Sequence, residues 1–268
     1  MTRIESAANP LIKRIRALEQ RKGREQEGAC FVEGIQPVWQ AVDADAEIET
    51  LVVAPDLLTS TAAREMVARQ QVAGMPVAEV STAVFERIAT RENPSGLAAI
   101  VRIASHSLES LSVTSQSLFV ALHEIGNPGN LGTILRTVDA VGGNGVILVG
   151  EGTDPYHPNA VRASVGTLFR LPLVPVRRIE DVFEWSRANG ISVVTTSARA
   201  SQEYWQAAYP SPLLLLFGNE GRGLSREIVE QGDLAVRIPM HGSASSLNLA
   251  VAASVLLYEA LRQRQSDR

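Results

Sequence analysis

Apolar and polar positions along this chain follow two alternating rhythms. Leu11, Ile15 and Leu18 fall at i, i+4 and i+7, the spacing of one helix face, and Asn9-Pro10 in front can start a helix. The pattern predicts a helix over residues 11–26. Phe31-Val32-Glu33 reads as an extended run closed by Gly34, followed by a helix through Val38, Trp39 and Val42. Strands at 51–54, 77–80 and 97–103, with helices at 62–71 and 82–90, complete a small alternating α/β domain over residues 1–103. Farther on, strand-sized apolar runs at 118–122, 145–149, 173–176, 191–196, 213–217 and 235–238 alternate with helical patterns at 131–141, 158–166, 179–189, 225–232 and 247–264. The unbroken run Leu-Leu-Leu-Leu-Phe at 213–217 needs cover on both faces. The expected fold class is therefore α/β, with a mostly parallel C-terminal sheet that has helices on both faces. In such sheets ligands bind beyond the carboxyl ends of the strands, so the residues just after each strand carry the interest.

Between the two regions, residues 105–117 read SHSLESLSVTSQS. Six of the thirteen are serine and no period is sustained, which is a linker composition. The expected organisation is a domain at 1–103, a linker at 104–116 and a second domain at 117–268. The last helix is apolar nearly all round, through Leu249, Val251, Val255, Leu256, Leu257, Tyr258 and Leu261. Such a helix is expected to be buried, in part against a second subunit.

Composition narrows the class without naming the chemistry. Of 268 residues, 45% are hydrophobic and 20% charged, the balance of a globular protein. No apolar run approaches the ~18 residues of a membrane span, and residues 1–20 hold no signal-like apolar core. With Cys30 as its one cysteine, the chain forms no internal disulfide and no all-cysteine zinc site. A cytoplasmic location is expected, with no membrane partner. The net charge of −4 argues against indiscriminate polyanion binding. The basic residues are nevertheless 23 arginines and only two lysines, Lys13 and Lys22. Arginine suits bidentate phosphate contacts; a coding preference explains the same excess. Residues 1–27 carry seven positive and four negative side chains, a modest basic segment.

Three loops at predicted strand ends stand out. The first, from Leu122 to Arg136, runs from a strand through Gly126, Asn127, Pro128 and Gly129 into a helix that Asn130 can cap. Glycines at a helix N-terminus let backbone N–H groups approach an anion, and Arg136 adds a phosphate fork; a capped helix with a surface arginine accounts for the same residues. The second, Phe217-Gly-Asn-Glu-Gly-Arg-Gly, places three glycines in six positions after a strand and puts Glu220 at the ligand crevice. It has neither Walker A nor dinucleotide-fingerprint spacing, which disfavours a nucleotide-dependent oxidoreductase. The third runs from Ile238 through Pro239, Met240 and Gly242 to Ser246, Leu247 and Asn248, where a helix opens and Ser246 is a possible cap.

The ordered set N-x-G-N-x-G-x-x-x-R, then FGNEGxG, then IPM-x-G-x-x-x-S-L-N resembles the SpoU, or TrmH-like, branch of the SPOUT superfamily of S-adenosylmethionine-dependent RNA 2′-O-ribose methyltransferases. Over residues 9–13 (NPLIK), 31–34 (FVEG) and 93–101 (NPSGLAAIV) the chain is similar to the smaller RNA-binding domain that often precedes the catalytic one. The resemblance implies a catalytic set of Arg136, Asn130, Glu220, Ser246 and Asn248. Arg136 would grip a phosphate or assist removal of the 2′-hydroxyl proton, Asn130 would hold the ribose or orient Arg136, and Glu220 would fix Arg136 or the cofactor loop. It implies S-adenosylmethionine as cofactor, beside Thr195, Gly218, Asn219, Ile238, Met240 and Leu247, and needs no metal. RNA contacts are expected at Lys13, Arg14, Arg136 and Arg162. A carboxyl-terminal knot and a homodimer are also implied. Ribosomal RNA is the favoured substrate. The alternatives are a transfer RNA methyltransferase and a catalytically silent RNA-binding or ribosome-assembly protein of the same fold.

Overall fold

A computed structural model describes residues 3–266; the outer ends of the expected domains, at 1, 2, 267 and 268, lie outside the described residues. The elements run α1 (Pro10–Leu18), α2 (Arg21–Glu27), β1 (Ala29–Glu33), α3 (Ile35–Asp43), β2 (Ile48–Val53), α4 (Thr61–Val72), β3 (Val77–Glu79), α5 (Thr82–Ile88) and β4 (Leu97–Arg102). They continue β5 (Leu118–His123), α6 (Pro128–Ala140), β6 (Gly145–Val149), α7 (Pro158–Ser164), β7 (Leu173–Val176), α8 (Ile179–Ala188), β8 (Ser192–Thr196), β9 (Gln202–Glu203), β10 (Leu213–Phe217), α9 (Arg226–Gln231), β11 (Leu234–Arg237) and α10 (Leu249–Ser266).

The helix expected over 11–26 is two helices, and Arg24 is the reason. Its Nη1 donates to the carbonyl oxygens of Leu18 and Glu19 at 2.7 and 2.8 Å, satisfying carbonyls that the end of α1 leaves open. A Cβ at Gly23 would lie 1.9 Å from the Ala17 oxygen, so only glycine lets α2 fold against α1. Around this pair, β1, β4, β2 and β3 form a four-stranded sheet in that order, antiparallel except between β2 and β3. Ile12, Ile15, Phe85, Ile88 and Ile100 fill one side of it. Cys30 is fully buried on β1, and its thiol is pushed up to about 12 by burial and by Asp154, so it is no nucleophile at neutral pH.

Contacts divide the chain into two compact units, and the division differs from the expected boundaries in two places. Asp154–Arg170, which the sequence assigned to the second domain, belongs with the first unit. Arg24 is 2% exposed, and its Nε donates to Asp154 Oδ2 at 2.7 Å. Gly166 lies so close to α3 that a Cβ there would come within 2.9 Å of Gln40 and Pro37. The serine-rich stretch is not a free linker either. Leu108 and Leu111 are buried in the core of the second unit, two apolar anchors that the serine count obscured.

That second unit holds a seven-stranded sheet in the order β7-β6-β5-β10-β8-β11-β9, parallel at every pairing. Every residue of β10 is buried, as its unbroken apolar run requires. The two-residue edge strand β9 was not legible, because Gln202-Glu203 has no apolar pattern. Helix α10 buries Ala250, Ala253, Leu256 and Leu257 but leaves Val251 50% and Tyr258 54% exposed, so this chain alone does not cover it all round.

Candidate active site

Three loops leave the carboxyl ends of β5, β10 and β11, all in the second unit. β5 and β10 are neighbours with Leu122 opposite Phe217, so the first two loops emerge side by side. β11 stands beyond β8, and its loop returns to Asn248 at the start of α10.

The first loop is capped one motif position earlier than expected. Asn127 is the N-cap of α6: its Oδ1 accepts from the amides of Gly129 and Asn130 at 2.8 and 3.1 Å, with Pro128 opening the helix. This releases the Asn130 side chain. Its Nδ2 donates to Glu220 Oε1 at 3.1 Å, and its Oδ1 accepts from Asn248 Nδ2 at 3.0 Å. Glu220 also accepts from the amides of Gly126 and Asn127, each at 3.1 Å. The anion at these amides is therefore Glu220 itself, where the sequence suggested a bound phosphate. One residue from each loop, Asn130, Glu220 and Asn248, thus joins a continuous hydrogen-bonded chain. Burial pushes the Glu220 carboxyl up, but the amides of Gly126, Glu220 itself and Asn127 and the Asn130 side chain outweigh it and hold it below the usual carboxylate range.

A second tie, not foreseen, runs between the first two loops. Glu124 has a left-handed backbone with φ 53°, costly for a residue with a Cβ. Its carbonyl accepts from Asn219 Nδ2 at 2.8 Å, its amide donates to the Val149 oxygen at 2.9 Å, and its carboxylate meets Arg222 at 3.0 Å. Asn219 Oδ1 in turn accepts from the amides of Gly221 and Arg222. The second loop doubles back so tightly that a Cβ at Gly218 would lie 2.3 Å from the Gly223 carbonyl carbon.

In the third loop, Ile238 and Met240 are half-buried, while Ser246 and Leu247 are exposed. Ser246 is not the cap: Asn248 Oδ1 accepts from the amides of Ala250 and Val251 at 2.9 and 3.4 Å, and α10 begins at Leu249. Thr195 leaves the candidate cofactor set. It is fully buried, and its hydroxyl donates to the Val229 and Leu234 carbonyls. What remains at these strand ends is apolar surface from Ile238, Met240 and Leu247, with a loop that makes no backbone hydrogen bond within Met240–Leu247 among the described residues. Apolar walls with uncommitted amides suit an adenine ring and a methionyl chain.

Arg136 stands apart from the network. It lies six residues beyond Asn130 on α6, about 9 Å along the axis and on a different face. It is exposed and makes no hydrogen bond or ion pair among the described residues. Glu220 and Asn130 bind each other and make no contact with it, which leaves, of the alternatives expected, Asn130 holding the ribose and Glu220 fixing the loops. In the first unit, Lys13 is exposed and, among the described residues, Arg162 donates only to Asn159 Oδ1, at 3.2 Å. Arg14 is held by Glu27 at 2.9 Å and by Glu49, so its guanidinium is committed within the protein. Asn127 and Glu124 are the residues the sequence reasoning missed. The Asn-Pro step was a visible cap signal for the first; a left-handed glutamate leaves none.

A family model described as the SpoU rRNA Methylase family matches residues 117–258, and one described as the MRM3-like substrate binding domain matches residues 9–99. The 23S rRNA (uridine(2479)-2′-O)-methyltransferase of Streptomyces viridochromogenes is 36% identical over 256 residues, covering 94% of this chain and 88% of that protein. The AdoMet-bound rRNA methyltransferase from Sinorhizobium meliloti superposes with a TM-score of 0.88 at 39% identity, covering 97% of each chain. The SpoU methyltransferase AviRb from Streptomyces viridochromogenes, in complex with the cofactor AdoMet, superposes with a TM-score of 0.88 at 33% identity, covering 97% of this chain and 100% of that one.

Proposed function

This chain belongs to the SpoU rRNA methylase family, and from that premise we propose that it transfers a methyl group from S-adenosylmethionine to a ribose 2′-hydroxyl of ribosomal RNA. The observation that carries the reading is the chain Asn248–Asn130–Glu220, which fixes all three motif loops to one another. The methyl donor supplies an electrophilic carbon. The protein's part is to hold donor and acceptor in line, and orientation is the larger share of such catalysis. Gly218 and Asn219 shape the second loop, and Ile238, Met240 and Leu247 give apolar cover to the donor. Asn130, Glu220 and Asn248 keep the loops at a fixed separation, and Ser246 lies exposed at the mouth of the third.

Arg136 has no hydrogen-bond or ion-pair partner among the described residues. A guanidinium is a donor with no acceptor to offer and so a poor general base; the role of Arg136 is to grip the phosphate beside the target ribose and stabilise developing charge. The first unit, residues 154–170 included, presents the RNA through Lys13 and Arg162. Arg14, already paired, serves the fold instead. The exposed Val251 and Tyr258 on α10 favour a homodimer through the second unit, and the carboxyl-terminal segment completes a knot there. The protein acts in the cytoplasm; among the described residues no helix is long and apolar enough to cross a membrane.

The test is transfer of labelled methyl from S-adenosylmethionine to separated rRNA and tRNA pools, with nucleoside digestion. A 2′-O-methylated nucleoside from rRNA is expected. Label only in tRNA replaces the substrate, and no label with no cofactor binding favours a silent RNA-binding protein. Arg136→Ala is expected to lose on the order of 10²–10³-fold in rate while its thermal midpoint stays at the wild-type value, since Arg136 has no partner to lose among the described residues.

A further inference from the structure

The first unit contains a surface cleft whose lining includes Phe31, Glu33, Thr90, Arg91, Val161 and Arg162. Its acid is unusual. Glu33 is 8% exposed, and its Oε2 accepts from the amide and hydroxyl of Thr90 at 2.7 and 2.6 Å. Its Oε1 is buried and has no hydrogen-bond partner among the described residues. Two arginines line the same cleft, and neither neutralises it. Arg91 makes no hydrogen bond or ion pair among the described residues, and Arg162 reaches only Asn159. The Arg91 guanidinium lies against Gly34, whose φ of 111° favours glycine there. A buried acceptor given no donor by the protein is a standing penalty, and native proteins rarely keep one without a use.

We propose that this cleft takes one unpaired RNA nucleotide: a base N–H group donates to Glu33 Oε1, Phe31 and Val161 offer apolar wall, and Arg91 and Arg162 take the adjoining phosphates. The proposal rests on RNA being the substrate. The geometry selects the ligand's chemistry. Only one carboxylate oxygen lacks a donor, so the group it calls for is a single N–H donor, as on a nucleobase edge, reached as the cleft gives way around the base. The cleft as a whole has room for little more than a water-sized group, so only a base edge enters and the sugar-phosphate stays with the arginines. A free anion would meet Glu33 and be repelled. Unpaired RNA exposes such base edges, whereas a duplex does not.

Glu33→Gln separates this role from a structural one. The amide carbonyl still accepts from Thr90, while the open position becomes an N–H donor that opposes the base. Binding to an unmodified 23S rRNA transcript is measured across a salt series, with S-adenosylmethionine binding and thermal midpoint as controls. Glu33→Gln is expected to weaken RNA binding about tenfold or more at every salt concentration, with an unchanged salt slope. Arg91→Ala and Arg162→Ala are expected each to lower the slope of log K against log salt by roughly 0.7–0.9. Wild-type affinity in Glu33→Gln means that Oε1 holds a structural water only, and overturns the proposal. Should that variant fail to bind the cofactor or to fold, Arg91→Ala decides: an unchanged slope overturns the proposal and a reduced slope supports it. A wild-type protein that methylates rRNA while all three variants bind RNA normally refutes the cleft alone. A wild-type protein that neither binds nor methylates rRNA refutes the functional reading as well.

Discussion

A carboxylate that accepts from two backbone amides and a side-chain amide, as Glu220 does, is fixed by its partners more than by its own burial. Glu220→Gln replaces one acceptor oxygen with a donor facing those donors. Because the side chain is exposed, global stability should change by no more than about 1 kcal/mol. The first loop should shift against the second, and misplacement of that order costs roughly 10²-fold in rate. The pH dependence has a definite sign. The folded-state carboxyl lies below its ordinary value, so its contribution to stability is fully present above the unfolded pKa of ~4.3 and is lost as pH falls through the folded value. Denaturant titrations of wild type and variant should converge as pH is lowered through that window. A stability difference that stays constant to the lowest pH would assign the effect to packing.

At the scale of elements, α6 shows how a one-turn misreading hides a functional contact. Both Asn127 and Asn130 are good caps by type. The sequence reading placed the cap at Asn130, which would have consumed the side chain that joins Glu220 to Asn248. The structure puts the cap at Asn127 because Pro128 supplies a preformed first position. Asn127→Ala should cost about 1 kcal/mol, a fall of roughly 2–4 °C in thermal midpoint for a domain of this size; a calorimetric scan with no fall would place the cap elsewhere. Alternation of strands and helices was legible because each buried strand is a short apolar run, as in β5 and β10. The motif residues Asn130, Glu220 and Asn248 were legible as a set. Their mutual bonding, and the separation of Arg136 from them, were not, since both depend on which face of α6 each residue occupies. Thr195 looked like a strand-end ligand, but the hydroxyl turns into the packing of α9 and β11. Arg24 read as one more member of a basic helix and is a buried cap and ion-pair donor instead.

For the whole molecule, the decisive fact is that the chain order and the compact units disagree. Residues 154–170 follow β6 of the seven-stranded sheet, yet they supply the first unit with Ala160, Val161 and Leu168, all buried, and with the carboxylate that meets Arg24. A fragment of residues 1–104 therefore lacks part of its own core and leaves a nearly fully buried guanidinium without its counter-ion. Removing one partner of a buried pair costs about 3–5 kcal/mol, a large part of the ~5–15 kcal/mol by which a domain is stable. Asp154→Ala in the full chain should lower unfolding free energy by that amount in urea. The 1–104 fragment should lose still more, because the apolar cover goes with the charge, and should show no cooperative transition. Adding 154–170 back through a short linker should restore it. If the bare fragment instead unfolds as sharply and at the same urea concentration as its counterpart in the intact chain, then residues 154–170 are a passenger on the first unit, and Arg162 has no fixed place beside Glu33.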